Sequence, residues 1–450
     1  MHELNLILAA VYYVIAALTI IHVVMDNRQP AKTMAWALVI WFVPVVGFIL
    51  YLFFGVNTRK KRLVSRRSLN ELSKRTMLDA VPCQAEDIAV YTDGYQFFPE
   101  LLASIASAND HIHINMYIFE DDALGQLVAD ALTDKARQGV KVRIIYDDVG
   151  SWRVPHRFFE CMREEGIEVA PFLPVRFPSF TSKVNYRNHR KLVVIDGRVG
   201  YIGGMNIALR YVKGTKTQPW RDTMVRVTGS AVSALQRAFL IDWYFVDRTM
   251  VNDRKYYPLP SPESVSPSPM LQMVTSGPDS PQPEIMQDYV RTIIGARKYV
   301  YIETPYFLPT ESVLFALKTA ASAGVDVRIL VPKENDSWFV GWAGRSYLRE
   351  VQQAGIRVKF YTAGFLHSKL MVCDDNISTC GSTNVDFRSF ENNFEANVFF
   401  YGRETALAIK QIFIADEEQS VPMKDLRKYT RPTFMARLTE SLLRLLAPVM

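Results

Sequence analysis

Two stretches of this 450-residue chain repeat one another in register. NHRKLVVIDGRVGYIGGMN (188–206) lines up with LHSKLMVCDDNISTCGSTN (366–384). His189 pairs with His367, Lys191 with Lys369, Asp196 with Asp374, Gly203 with Gly381 and Asn206 with Asn384, each pair 178 residues apart. Weaker echoes flank the block: ARQGVKVRI (136–144) against ASAGVDVRI (321–329), and GIEVAPF (166–172) against GIRVKFY (355–361). Two unrelated strands of common composition would share apolar residues, whereas the identities here are polar residues and glycines. The chain is therefore a duplication, and any fold proposed for it must present the same polar set twice.

Between the repeated blocks, β-branched runs alternate with amphipathic ones. HIHINMYIF (111–119), VKVRIIYD (140–147) and HRKLVVID (189–196) have strand composition, while 123–138 and 154–165 have helical spacing. This predicts an α/β body of two duplicated halves, 81–257 and 284–420, forming one bilobal unit. Eight prolines among serines and glycines between 258 and 283 mark the junction, with the first strand of the second half beginning near 270. A chain 49% hydrophobic and 22% charged is excluded from the disordered and fibrous classes. Its four cysteines, Cys83, Cys161, Cys373 and Cys380, have no C-x-x-C spacing, which suits a reducing compartment and argues against a structural zinc site.

Upstream of the body lie two runs free of Asp, Glu, Lys and Arg, residues 4–25 and 34–56. Each exceeds the roughly 20 residues that cross about 30 Å of hydrocarbon, so residues 1–57 are expected to form a two-helix transmembrane hairpin. Met1, His2 and Glu3 supply no basic n-region, and no small-x-small site follows the first run, so it reads as a retained anchor and not a cleaved signal. Pro44 in the second run is tolerable in a membrane helix whose neighbours satisfy the freed carbonyl. The linker 58–80 then carries eight Lys and Arg against Glu71 and Asp79. By the positive-inside tendency, both ends of the hairpin and the whole body face the cytoplasm from the inner membrane. The same basic segment attracts anionic lipid at about 1 kcal/mol per charge near the surface.

In a strand, side chains at i and i+2 share a face, so His189 and Lys191 point together, as do His367 and Lys369. Asp196 and Asp374 stand seven residues after their histidines, an odd offset that turns them to the opposite face, where they are expected to brace a turn. In the G-[GS]-x-N segment that follows, Gly203 and Gly381 permit backbone to approach a ligand, and Asn206 and Asn384 add amide donors. Ser382 offers a hydroxyl where the first motif has Gly204. Doubled, this set converges on one tetrahedral anion, most simply a phosphodiester. A neutral imidazole can attack phosphorus while a protonated one gives the leaving alkoxide its proton, and lysine charge compensates the oxygens, with no metal or other cofactor. An imidazole in that role needs a partner at Nδ1. Asp222 in WRDTMVRV (220–227) and Glu395 in FEANVFF (394–400) align at an offset of 173 and follow His189 and His367 by 33 and 28 residues. They are expected to orient the histidines.

These residues resemble the duplicated HKD motif of the phospholipase D superfamily, across nearly all of 88–420. The segment NRQPAKTMAWALVIWFVPVVGFILYLFFG (27–55), followed by basic residues, narrows the resemblance to the bacterial cardiolipin synthases. The resemblance implies two phospholipase D-like α/β halves, with His189, Lys191, Asp196, His367, Lys369 and Asp374 as the catalytic motif residues. It also implies transfer of a phosphatidyl group from one phosphatidylglycerol to another, releasing glycerol through a phosphohistidine. His189 would be the nucleophile and His367 the general acid, although the near-symmetry of the motifs leaves that choice open in the sequence itself. A membrane-anchored hydrolase releasing phosphatidic acid would use the same residues with water as acceptor, and stays open. Two intact motifs disfavour a non-enzymatic scaffold.

A nuclease of this family would need a basic groove, and the charge lies in the wrong places for one. The net charge of +6 resides in the flanks: residues 57–80 are net +6, and 424–444 hold six bases against two acids, which leaves the rest mildly acidic. This distribution predicts phosphatidylglycerol, other anionic phospholipids and the bilayer as partners, and no nucleic acid. The tail 421–450 places Phe434, Leu438, Leu442 and Leu445 at helical spacing, which fits a helix in the bilayer interface or one docked on the body.

Overall fold

The computed structural model describes residues 2–25, 30–43, 45–51, 55, 83–175, 185–215, 218–251, 253–257, 269–280 and 282–447. Glycines in the repeated blocks set the rhythm of the body. Gly139 and Gly324 occupy equivalent places, and their positive φ angles (92° and 86°) close the helices Ala123–Arg137 and Glu311–Ser322 in a conformation that L side chains resist. The buried Val140 and Val325 follow at once and lead into the strands Lys141–Asp147 and Asp326–Pro332.

The first sheet runs in spatial order Ile88–Tyr91, Met224–Thr228, Val199–Gly203, Leu192–Ile195, His111–Met116, Lys141–Asp147, Glu168–Phe172. The second repeats it with Met270–Ser276, Glu395–Tyr401, Ile377–Gly381, Leu370–Cys373, Tyr299–Glu303, Asp326–Pro332, Arg357–Tyr361. In both, four antiparallel pairings precede two parallel ones. The repetition in sequence is thus a repetition of topology. Cys83–Gln84 and Ser420–Pro422 extend the edges of the second sheet.

One face of each sheet is covered by its own helices, around Phe97, Leu101, Val128 and Phe159 in the first half and Ile285, Val313, Leu317 and Val351 in the second. The opposite faces share a core in which Val194, Ile202 and Val225 join Leu370, Val372 and Val398. The helices Val232–Asp247 and Arg403–Glu418 also enter that core. The proline-rich junction is shorter than its composition suggests. Residues 258–268 lie outside the described residues, but Met270–Ser276 contains no proline and forms a full strand between Pro269 and Pro278.

The N-terminal runs form the helices His2–Met25, Pro30–Phe42 and Val46–Leu50. Tyr51, Ala16, Val23 and Ile40 bury one another where these segments meet. Among the described residues no helix is long and apolar enough to cross a membrane, so the two expected spans are not shown. The second run is divided between the helices Pro30–Phe42 and Val46–Leu50, and position 44 between them lies outside the described residues. The basic linker 58–80 lies outside the described residues.

Candidate active site

The strand expected over 189–196 begins only at Leu192. The segment before it leaves its own sheet and pairs with the other half. Asn188 bridges Phe394 in parallel, His189 N–H donates to Phe394 O at 2.9 Å, and Phe394 N–H donates to Arg187 O at 2.8 Å. The second motif mirrors this: Phe365–Leu366 pairs in parallel with Trp220–Arg221, and His367 N–H donates to Arg221 O at 2.7 Å.

This exchange decides which acid meets which base. Glu395 comes directly after Phe394, and its carboxylate oxygens lie 3.0 and 3.1 Å from His189 Nδ1. Asp222 comes directly after Arg221, and its Oδ2 lies 2.5 Å from His367 Nδ1. Each acid follows one histidine in sequence and serves the other in space. With Nδ1–H donated to a carboxylate, both Nε2 atoms are left for chemistry.

Burial sets the electrostatics. It pushes His189 below the ordinary imidazole range despite Glu395, and burial together with Lys369 pushes His367 down to about 3. Both imidazoles are therefore biased toward their neutral form. Burial would raise Glu395 and Asp222, but the opposing lysine and imidazole groups more than offset it and hold both carboxyls below their usual values. Lys191 and Lys369, almost fully buried, are likewise lowered by burial, Lys191 to about 7. Lys191 Nζ donates to His189 O at 2.7 Å; Lys369 Nζ donates to His367 O and stands 3.8 Å from Asp222 Oδ2. Neither lysine reaches the cavity wall.

The two imidazoles face one cavity of about 500 Å³, whose wall also includes Asn206 and Asn384. The two amides are not equivalent. Asn206 Oδ1 accepts from Ile118 N–H at 3.0 Å and its Nδ2 donates to Tyr211 Oη at 2.6 Å, whereas the buried Asn384 Oδ1 has no hydrogen-bond partner among the described residues.

Other motif residues stay out of the cavity. A Cβ on Gly203 or Gly381 would lie 2.3 Å from Thr223 O or Ala396 O, so these glycines admit a neighbouring strand and not a phosphate. Ser382 Oγ donates to Glu395 Oε2 and is committed to the acid instead of a ligand. Its counterpart Gly204 has no such role, because a Cβ there would sit 2.1 Å from Asp222 Oδ1. Asp196 and Asp374 are not brought to the reacting face. Asp196 accepts the backbone N–H groups of Asn109, Asp110 and His111, all at 2.8 Å. Asp374 accepts those of Arg297, Lys298 and Tyr299 at 2.6 to 2.8 Å. Their place among the catalytic residues gives way to bracing the helix-to-strand junction, as the odd offset anticipates.

Several cavity residues escape the motif. Arg187, Arg210 and Arg388 line the wall, as do Tyr117, Trp220 and Tyr306. Tyr117 lies 4.8 Å from the His189 ring and Trp220 5.2 Å from the His367 ring. A signal for the tyrosines exists: NMYIF (115–119) aligns with TPYFL (304–308) at 189, the offset of the GIEVAPF block.

A family model described as "Cardiolipin synthase, PLD-like domain" matches residues 101–243 and 289–416. One described as "Phospholipase_D-nuclease N-terminal" matches 14–55. The chain is 37% identical to the major cardiolipin synthase ClsA of Bacillus subtilis strain 168 over 100% of both sequences. It is 36% identical to a cardiolipin synthase of Geobacillus kaustophilus, covering 95% of this chain and 90% of that one. In fold it is similar to the phosphatidylserine synthase of Haemophilus influenzae Rd KW20 (TM-score 0.63, 15% identity, 86% of this chain and 99% of that one). It is also similar in fold to the polyphosphate kinase of Porphyromonas gingivalis (TM-score 0.53, 17% identity, 75% and 49%).

Proposed function

Because the chain belongs to the cardiolipin synthase family of the phospholipase D superfamily, we propose that it makes cardiolipin from two phosphatidylglycerol molecules with release of glycerol. The observation that carries this reading is the reciprocal pairing of two imidazoles with acids from opposite halves at one cavity. His189 Nε2 attacks the phosphorus of the first lipid while Glu395 takes the growing positive charge on the ring through Nδ1–H. The P–O bond to glycerol breaks, and His367 Nε2–H gives the departing oxygen its proton. A second phosphatidylglycerol then places its terminal hydroxyl at the phosphohistidine. His367, now neutral, takes that proton; the new P–O bond forms and the P–N bond breaks. Lys191 and Lys369 supply positive charge from behind, and Asn206 and Asn384 stand at the wall where the phosphoryl oxygens would lie.

The depressed pKa of His367 fits this scheme. The phosphodiester brings the negative charge that raises its pKa, so the acid is armed by substrate.

The N-terminal match and the outward-facing Val11, Val14, Leu18 and Ile21 support a lipid-embedded anchor for residues 1–57. Eight bases in 58–80 support a cytoplasmic body at the inner membrane. We divide that body into 81–257, a junction, and a second half to 420.

Incubating the purified chain with labelled phosphatidylglycerol in mixed micelles, without added metal, tests the reading. Glycerol and cardiolipin in equal amounts are expected. Phosphatidic acid would instead make the chain a hydrolase, and no turnover by folded protein would sink both.

A further inference from the structure

The C-terminal helix Phe434–Leu446 has its apolar stripe on the wrong side for a helix that is merely docked. Its inner side presents Glu440 and Leu443, and Ala447 follows, all buried. Ion pairs tie it to the helix Trp338–Gln353: Glu440 to Arg349, and Arg444 to Glu350 at 2.7 Å. Its outer side carries Phe434, Leu438, Leu442 and Leu445, spaced by four, four and three residues, with exposures of 77, 42, 55 and 75%. Met435 widens that stripe, and Trp338 and Phe339 expose two more large rings on the first turn of the partner helix. Contiguous exposed apolar surface of this kind marks a docking face.

We propose that this face lies on an anionic bilayer and holds the mouth of the catalytic cavity at the lipid surface. Arg427, Lys428, Arg431 and Arg437 are exposed on the same segment; of the two acids in 424–446, Glu440 is buried against Arg349 and Asp425 is exposed beside the exposed Lys424. An apolar stripe bordered by an excess of exposed bases complements an anionic lipid surface. A second copy fits poorly, because a two-fold contact would set the same bases against each other. Both helices also reach the site. Val340 and Ala447, from the first turn of one helix and the end of the other, both line the cavity. Lipid held by the stripe would therefore lie against the two helices that help to wall the cavity. This reason for the placement rests on the proposed lipid chemistry, but the docking can be measured without turnover.

The test uses the full chain in phosphatidylglycerol-containing vesicles, with Cys83 replaced by serine. One protein carries a nitroxide on the exposed native Cys161, and another carries it on Leu442→Cys with Cys161→Ser. The label at 442 is expected to collide preferentially with lipid-soluble oxygen, and the label at 161 with a water-soluble nickel chelate. Equal access of nickel to both positions overturns the proposal. So does dipolar broadening between labels at 442, which would assign the face to a second copy. As an independent measure, the Leu438→Glu/Leu442→Glu variant should lose at least tenfold in turnover on vesicles while staying within twofold on dissolved short-chain phosphatidylglycerol. Equal loss on both substrates would reveal a structural role and overturn it. If the chain turns over neither lipid, the proposed reaction fails, and the nitroxide result still decides the docking.

Discussion

At the scale of single residues, the site is asymmetric where its motifs differ. Glu395 is held by the Ser382 hydroxyl, whereas Asp222 occupies the space that a side chain at 204 would need. Gly204→Ser should therefore not restore symmetry. It should displace Asp222 from His367 and destabilise the fold by about 1–3 kcal/mol, as overpacking of a close-packed site does, with a lower melting temperature and lower kcat together. Glu395→Gln leaves the shape but removes the charge that supports His189, and kcat should fall roughly 10²–10⁴-fold with KM little changed. A variant within twofold of the parent in kcat would remove His189 from the proposed role. The depressed pKa of His367 makes a third prediction. A group whose pKa is depressed by burial and raised by a neighbouring anion must bind a proton when the anion arrives. Calorimetric titration with inorganic phosphate near neutral pH, in buffers of different ionisation enthalpy, should show net proton uptake, to which Lys191, lowered to about 7, can add. No uptake would leave His367 neutral and unable to act as acid.

At the scale of elements, Asp196 and Asp374 fasten the start of one strand to the end of another through three backbone N–H groups each. Asp196→Asn should cost on the order of 1–3 kcal/mol in denaturant unfolding while the folded fraction keeps its kcat. A loss of kcat with unchanged stability would return the residue to the chemistry. The same elements explain what could be read beforehand. The offset of seven between His189 and Asp196 is a fact of spacing, so the separation of imidazole from carboxylate was legible, and so was the pair of acids at an offset of 173. Their exchange was not. It depends on Phe365–Leu366 pairing with Trp220–Arg221 and on Asn188 bridging Phe394, contacts between segments more than 140 residues apart that leave no periodic trace. The strand expected from His189 stops short at Leu192 for the same reason, since its first residues bond to the other half. Gly203 and Gly381 misled because a glycine that admits a strand looks, in sequence, like one that admits a phosphate.

At the scale of the whole molecule, neither half contains a finished histidine–acid pair. A protease site introduced between 257 and 269 should be cleavable with activity retained, because the strands that exchange lie outside that interval and the shared core holds the halves together. Separated by denaturation and refolded alone, each fragment should be inactive, and remixing should restore turnover. Activity in a lone fragment would contradict the exchange. The reciprocity has a consequence for ancestry. What the first half lends to the second is what it borrows back, and a contact of that kind is the signature of a two-fold axis. A single half facing a copy of itself would close two identical pairs with one surface. The smallest working unit of this architecture is thus a couple, and tandem fusion freed its members to diverge, as glycine at 204 and serine at 382 already have.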